Sequence, residues 1–274
     1  MLSRLGADVR AIFLGGGVTG RVLDDLLARA GIEREMVEIA DDSRLSLTVV
    51  EQSTGNEYRF VPEGPQVTEA EADAALAAAS SAQCDYFVAS GSLPPGIPDD
   101  FYVKLCRAMA RQGSRFVLDT SGEPLRAALD AGGLFLVKPS RGEFERYAGR
   151  QLTTEELVEE AARLVSTGKT ENVAITLGGD GAVLVDRDGA VVSPAVPVKA
   201  CRAVGAGDSF VAGMVFGFAL GRSGQEALRF GLAAGAAAVL SSGSDLAKAE
   251  DLQRLLGEAL GEQVDDFGIG GDRV

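Results

Sequence analysis

Apolar positions fall into two registers along the chain. Short runs at 9–14 (VRAIFL), 86–89 (YFVA), 115–118 (RFVL), 135–137 (FLV) and 172–176 (NVAIT) have the length and composition of buried strands. Segments with a helical apolar period lie beside them, at 20–30, 68–82, 99–112, 123–131 and 153–167. The first of these helices places Val22, Leu23, Leu26 and Leu27 on one face and stops at Gly31. Strands alternating with helices of this size predict a parallel sheet with right-handed crossovers. Each strand after residue 68 runs into a polar, Gly-rich loop at its C-terminal end, which is where α/β folds bind ligands.

Two segments break this rhythm. Residues 45–51 and 57–62 alternate around the turn Ser53-Thr54-Gly55-Asn56 and predict a β-hairpin, set within a flap spanning 44–63. Residues 181–192 predict another hairpin. The motif RAVGAGDSF follows, then an apolar helix at 208–220 and a small-residue helix at 225–241. From 261 the chain is acidic and Gly-rich. It offers little apolar surface against the entropy of ordering, so 261–274 is expected to be a disordered tail.

Composition narrows the chemistry. With 274 residues, 46% of them apolar, the chain can bury a large α/β core. No apolar run approaches the roughly 18 residues of a spanning helix, and the start lacks a signal-peptide cleavage pattern, so no membrane partner is expected. Cys84, Cys106 and Cys201 have no metal or redox spacing and read as reduced thiols of a cytoplasmic protein. A net charge of −14 argues against nucleic acid as a partner. It leaves room for a small anion held by backbone N–H groups. Histidine is absent, which excludes Ser-His-Asp chemistry and His-ligated metals. Any general base must be Asp, Glu, Lys, Tyr or Cys.

The strongest local signal is Val204-Gly205-Ala206-Gly207-Asp208-Ser209-Phe210 at the head of the apolar helix. Small residues leave the first-turn N–H groups uncovered, and those unpaired donors suit phosphate oxygens. Asp208 stands at the same terminus, placed to accept the proton of an attacking hydroxyl. The alternative is that Asp208 and Ser209 only cap a buried helix. No Lys-Ser/Thr follows the glycines, so the loop is not a Walker A loop. Lys138-Pro139-Ser140-Arg141-Gly142-Glu143 follows a strand and suits phosphates or a hydrated magnesium; it equally reads as a capping box, Ser140-x-x-Glu143. Thr176-Leu177-Gly178-Gly179-Asp180-Gly181 suits a nucleotide or a tight turn. Ser90-Gly91-Ser92-Leu93-Pro94-Pro95-Gly96 suits a substrate loop or a stiff structural one. Gly15-Gly16-Gly17-Val18-Thr19-Gly20, with Glu38 downstream, matches a dinucleotide fingerprint. Against it, the chain passes into the hairpin at 45–62 where a second parallel strand is needed.

SGSLPPG at 90–96, DTSG at 119–122, KPSRGE at 138–143, TLGGDG at 176–181 and GAGD at 205–208 stand in the order and spacing of PfkB-type, ribokinase-like carbohydrate kinases. The chain resembles that family over about residues 5–260, and most of all its minor-isozyme bacterial 6-phosphofructokinases, with 1-phosphofructokinases and tagatose-6-phosphate kinases close behind. The resemblance implies one kinase domain over 1–260. Its fold would be a three-layer α/β/α sandwich with a mostly parallel sheet and the hairpin as a lid. It implies ATP-dependent phosphorylation of a sugar phosphate, fructose 6-phosphate to fructose 1,6-bisphosphate, with Mg²⁺ accompanying ATP and K⁺ as a further ion. Asp208 would be the base, with Gly205, Ala206 and Gly207 as the anion hole. Lys138, Ser140, Glu143, Thr176, Gly178 and Gly181 would serve ATP, Glu143 also through the magnesium; the family usually has Asn at the position of Ser140. Arg202, Val204, Ala238, Ser241, Gly243 and Asp245 would form a monovalent-cation loop. Ser92 would lie near the substrate, and Arg59 would reach the sugar phosphate, across a homodimer joined through the flap. Family members usually carry an additional N-terminal segment with N-P-A-x-D and G-G-K-G-x-N motifs. Their absence leads to the expectation of an N-terminally truncated chain, whose alternative role is nucleotide binding without catalysis.

Overall fold

The computed structural model describes residues 1–51, 53–54, 56–198, 204–240 and 249–260. The chain forms two compact units. One comprises residues 9–82 and 93–105, the other 1–8, 83–92 and the chain from 106 onward.

The first unit begins with β1 (Arg10–Gly15), α1 (Gly17–Arg29) and β2 (Glu33–Glu38). β2 runs parallel to β1, from Arg10↔Glu33 to Gly15↔Glu38. This corrects the sequence argument, which found no second parallel strand after the glycine turn. Four of its six residues are charged, so periodicity does not reveal it; Arg10 pairs with Glu33 and Glu35, and Arg34 with Asp24 at 2.7 Å. The dinucleotide site is excluded by the chain's own packing instead. A Cβ added at Gly16 would lie 1.9 Å from the Asp41 carbonyl oxygen, and one at Gly17 would lie 1.3 Å from Asp42 Oδ1. The Gly16 N–H donates to Ser43 Oγ at 3.0 Å. Residues 41–43 therefore cover the first turn of α1 with a carboxylate, where a pyrophosphate would meet like charge. Val22, Leu23 and Leu26, on the apolar face of α1, are exposed.

The hairpin is β3 (Leu47–Val50) and β4 (Glu57–Phe60), antiparallel with Leu47 opposite Phe60 and Val49 opposite Tyr58. α2 (Glu69–Ser80) starts on a reciprocal capping box between Thr68 and Glu71. Glu71 also accepts from the Ala40 N–H at 2.6 Å, tying α2 to the end of β2. Ile39, Val67 and Ala72 form a small core there.

The second unit is built on β5 (Tyr86–Ser90), β6 (Arg115–Asp119), β7 (Leu134–Val137), β8 (Thr170–Thr176), β9 (Ala182–Asp186) and β10 (Gly189–Ser193). They form one sheet in the order β10-β9-β8-β7-β6-β5. β5 to β8 are parallel; β9 and β10 add antiparallel strands at one edge, as the 181–192 hairpin predicts. The connecting helices are α3 (Phe101–Arg111, shared by the two units), α4 (Gly122–Ala131), α5 (Arg141–Ala148) and α6 (Thr154–Ser166). α7 (Ala206–Ala219), α8 (Gly224–Leu240) and α9 (Ala249–Leu260) complete it. Val117, Leu136, Ala174 and Leu184 pack against Phe210, Met214 and Leu228 of α7 and α8. The alternate residues Val173, Ile175, Val183 and Val185 are equally buried, and α6 packs on β8 and β9. Both faces of a mostly parallel sheet are thus covered by helices. α9 has no counterpart among the elements predicted from the sequence; its Leu252, Leu255 and Leu256 bury against Leu5 and α8. Among the described residues no helix is long and apolar enough to cross a membrane. The expected tail at 261–274 lies outside the described residues.

Candidate active site

Four neighbouring parallel strands end in polar residues, which places those residues along one edge of the sheet. Ser90 is the last residue of β5, Asp119 the last of β6, Lys138 follows β7, and Thr176 is the last of β8. α7 begins at this edge. Its N-cap, Gly205, has φ 81, a left-handed conformation that suits glycine, and the first intrahelical bond runs from the Ser209 N–H to the Gly205 carbonyl at 3.0 Å. The N–H groups of Ala206, Gly207 and Asp208 therefore have no acceptor within the helix. A Cβ at Gly205 would meet nothing within 4 Å; one at Gly207 would lie 3.5 Å from Lys138 Nζ. The Lys138 ammonium thus stands beside the bare first turn.

Asp208 is the third residue of α7, not its cap, so the capping alternative fails for it. Its carboxylate is exposed, and Oδ1 accepts from Ser90 Oγ at 3.2 Å. Lys138 Nζ is 3.0 Å from Asp119 Oδ1, with side-chain exposures of 7% and 15%. Burial pushes the Asp119 carboxyl above the ordinary carboxylate value; Lys138 opposes the shift, and the nearby negative charges of Asp208 and Glu143 add to it. Asp119 thus feels one neighbouring cation, Lys138, and two further carboxylates, Glu143 and Asp208.

Ser140 is the N-cap of α5 and shares a capping box with Glu143: the Ser140 N–H donates to Glu143 Oε2 at 2.7 Å, and the Glu143 N–H to Ser140 Oγ at 3.4 Å. The helix-start alternative accordingly describes the local structure, and it leaves Glu143 Oε1 for other use. Thr176 is drawn beside the same turn by its N–H, which donates to the Pro139 carbonyl at 3.0 Å. Gly178 has φ 64 and open space where a Cβ would be. Gly181 is different: it is buried, and an added Cβ would lie 2.0 Å from the Ser193 carbonyl oxygen, so close packing against the end of β10 accounts for it. Ser92 is exposed two residues beyond Ser90. Val204 is exposed beside Gly205, and Ala238 is buried in the last turn of α8, where carbonyls lack intrahelical donors. Arg202, Ser241, Gly243 and Asp245, and the side chain of Arg59, lie outside the described residues.

Two residues escaped the sequence reading. Asp119 stood inside a recognised motif without a role, and Ser92 was singled out where Ser90 makes the contact. The signal for both is positional: each is the polar residue that closes an apolar strand.

The geometry can hold an anion between the α7 terminus and Lys138, with the Asp208 carboxylate at its side. Among the described residues no three His, Cys, Asp or Glu side chains are grouped to hold a bare metal ion. A magnesium ion suits the site as a hydrated, nucleotide-borne ion, since Mg²⁺ keeps several waters and takes one or two carboxylates plus phosphates.

A family model described as pfkB family carbohydrate kinase matches residues 1–251. ATP-dependent 6-phosphofructokinase isozyme 2 of Escherichia coli is 39% identical over 93% of this chain and 83% of that protein. A 1-phosphofructokinase of Bacillus subtilis is 33% identical over 94% of this chain and 84% of that one. Crystal structures of phosphofructokinase-2 from Escherichia coli, in complex with potassium and with fructose-6-phosphate, align with TM-scores of 0.89 and 0.87. They are 37% and 36% identical, and the alignments cover 94% of this chain and 84% of those chains.

Proposed function

Because the chain belongs to the pfkB family of carbohydrate kinases, we propose that it transfers the γ-phosphoryl group of ATP to a sugar phosphate, converting fructose 6-phosphate to fructose 1,6-bisphosphate. The observation that carries this reading is the meeting of Asp208, the bare first turn of α7 and Lys138 at the C-terminal edge of the parallel strands.

In the proposed mechanism Asp208 accepts the proton of the attacking sugar hydroxyl as its oxygen bonds to the γ-phosphorus. The N–H groups at 205–207 hold the phosphoryl oxygens, whose charge is dispersed as the bond to ADP breaks. Lys138 stands beside that turn and offsets phosphate charge. Ser140, Thr176 and Gly178 border the nucleotide along the ends of β7 and β8. Glu143 Oε1 and Asp119 would hold the hydrated Mg²⁺ that travels with ATP; the ion supplies charge neutralisation at the phosphates. A potassium site at 202–204 and 238–245 belongs to the same proposal, as does Arg59 on the sugar phosphate. The test is ADP release with fructose 6-phosphate, fructose 1-phosphate and tagatose 6-phosphate. Preference for fructose 6-phosphate is expected. Preference for fructose 1-phosphate would move the chain to the activity of its Bacillus subtilis relative, and ATP binding without turnover on any sugar would leave a nucleotide-binding protein.

The flap is proposed to join two copies. Leu47, Val49, Tyr58 and Phe60 share one face of the hairpin, by alternation along each strand and by cross-strand pairing, and all four are about half exposed. So much apolar surface on a two-stranded sheet suits burial against a like surface. Leu47→Asp is expected to convert a dimer to a monomer in sedimentation velocity. A wild-type chain that sediments as a monomer at micromolar concentration would overturn the pairing.

A further inference from the structure

A proton acceptor on the first turn of a helix has two equivalent oxygens and a side chain free to rotate in solvent. Asp208 is exposed, so nothing in its burial fixes which oxygen faces an incoming hydroxyl. The fixing contact comes from 118 residues away, where Ser90 Oγ donates to Asp208 Oδ1 at 3.2 Å.

Ser90 is itself held on two sides. It ends β5 in register with Asp119, the last residue of β6. The next residue, Gly91, donates its N–H to the Asp119 carbonyl at 2.9 Å and accepts from Thr120 Oγ1 on its own carbonyl at 2.9 Å. Both backbone groups of Gly91 are thereby pinned to residues 119 and 120. Its φ of 110 turns the chain directly after Ser90, a conformation that glycine adopts without strain. Thr120 is 5% exposed, so its hydroxyl is a buried polar group whose bond to Gly91 would be costly to leave unmade. Asp119, the last residue of β6, and Thr120, which follows it, thus anchor the loop bearing Ser90 and, through the Asp119 carboxylate, the ammonium of Lys138.

We infer that Ser90 is the positioning residue of Asp208, and that Thr120 latches the loop that carries it. This rests on the reading of Asp208 as the base. The Ser90 hydroxyl occupies Oδ1, which holds the Asp208 side chain in one χ1 rotamer and leaves Oδ2 for the acceptor hydroxyl. The Thr120 bond to Gly91 keeps Ser90 at hydrogen-bond distance. Ser90 touches neither phosphate nor sugar in this role, so its loss acts on turnover and spares the nucleotide.

The test compares Ser90→Ala, Ser90→Thr, Thr120→Val and Thr120→Ser in the full chain. Ser90→Ala and Thr120→Val are expected to lower kcat about tenfold to a hundredfold, the scale of a small misplacement of reacting groups. KM for ATP should stay unchanged, and the hydroxyl-retaining variants should restore kcat. Scalar couplings across the Asp208 χ1 bond, measured by NMR without any substrate, should report one rotamer in the wild type and Ser90→Thr, and averaging in Ser90→Ala. A Ser90→Ala variant with wild-type kcat and a single Asp208 rotamer would overturn the inference. Failure of the wild type to phosphorylate any sugar phosphate would overturn the kinase reading instead, and the couplings would still decide the role of Ser90.

Discussion

Asp208→Asn is expected to lower turnover by about 10²–10⁴-fold, the usual contribution of a positioned general base, while ATP binds as tightly as to the wild type or more tightly. Asn has nearly the shape of Asp and retains an oxygen able to accept from Ser90, so the loop at 90–92 keeps its partner. What disappears is the lone pair that takes the hydroxyl proton. The substitution also removes a negative charge from the α7 terminus, where the N–H groups and Lys138 attract phosphate and a carboxylate repels it. Nucleotide affinity should therefore hold or improve. Coupled ADP-release kinetics beside calorimetric titration with ATP separate the two effects. Turnover unchanged in Asp208→Asn would remove the base from the mechanism, and lost ATP binding would mean that Asp208 serves the nucleotide.

Lys138→Met should be the most destabilising single change at this edge. Lys138 and Asp119 are a pair in the protein interior, and removing one partner leaves the other charge uncompensated, at a cost of about 3 kcal/mol. For a chain of this size that corresponds to a fall of roughly 6–12 °C in melting temperature. The loss should depend on pH. The folded pKa of Asp119 is already raised by burial, with Lys138 holding it down, so the variant raises it further. A carboxyl whose folded pKa lies above its unfolded value binds more protons when folded, and stability then falls as pH rises between the two values. Below the unfolded value of 3.8 Asp119 is protonated in both states and the defect should be small. It should stay small until pH passes the folded pKa of Asp119 in the wild type, grow from there to the higher folded pKa of the variant, and be at full size beyond it. Melting curves of wild type and variant from pH 4 to 8 read this directly. A difference that is constant with pH would show that the loss comes from packing, with no contribution from the orphaned Asp119.

The parts of the fold that the sequence reveals are those whose residues carry their own period. The apolar runs within β6, β7 and β8 are continuous because a parallel strand covered on both faces buries successive positions alike, and β5 carries the same kind of run half-buried. α2, α5 and α6 announce their starts with Thr68, Ser140 and Thr153, each capped reciprocally three residues on. β2 is hidden because it pairs on one side only and its Glu33, Arg34 and Glu35 form ion pairs, so it carries no apolar period. α9 was hidden because three leucines become a core only when Leu5 and α8 are brought to them. In the site, the glycines and carboxylate at 205–208 were legible since a bare helix terminus is a local property. Asp119 and Ser90 were not, because their meaning depends on which strand ends are neighbours.

The amino-acid order alone determined the apolar strands β5 to β8, the helix starts at Thr68, Ser140 and Thr153, the absence of histidine chemistry and the run of small residues beside Asp208. Tertiary structure decided which of them meet. It set Ser90 against Asp208 and Lys138 against Asp119, and it filled the first glycine turn with Asp42 where a dinucleotide was conceivable. The reason is that a side chain's preference acts over a few neighbours, whereas contacts between residues 19 and 118 positions apart exist only after strands have paired and the crossing helices have packed on them.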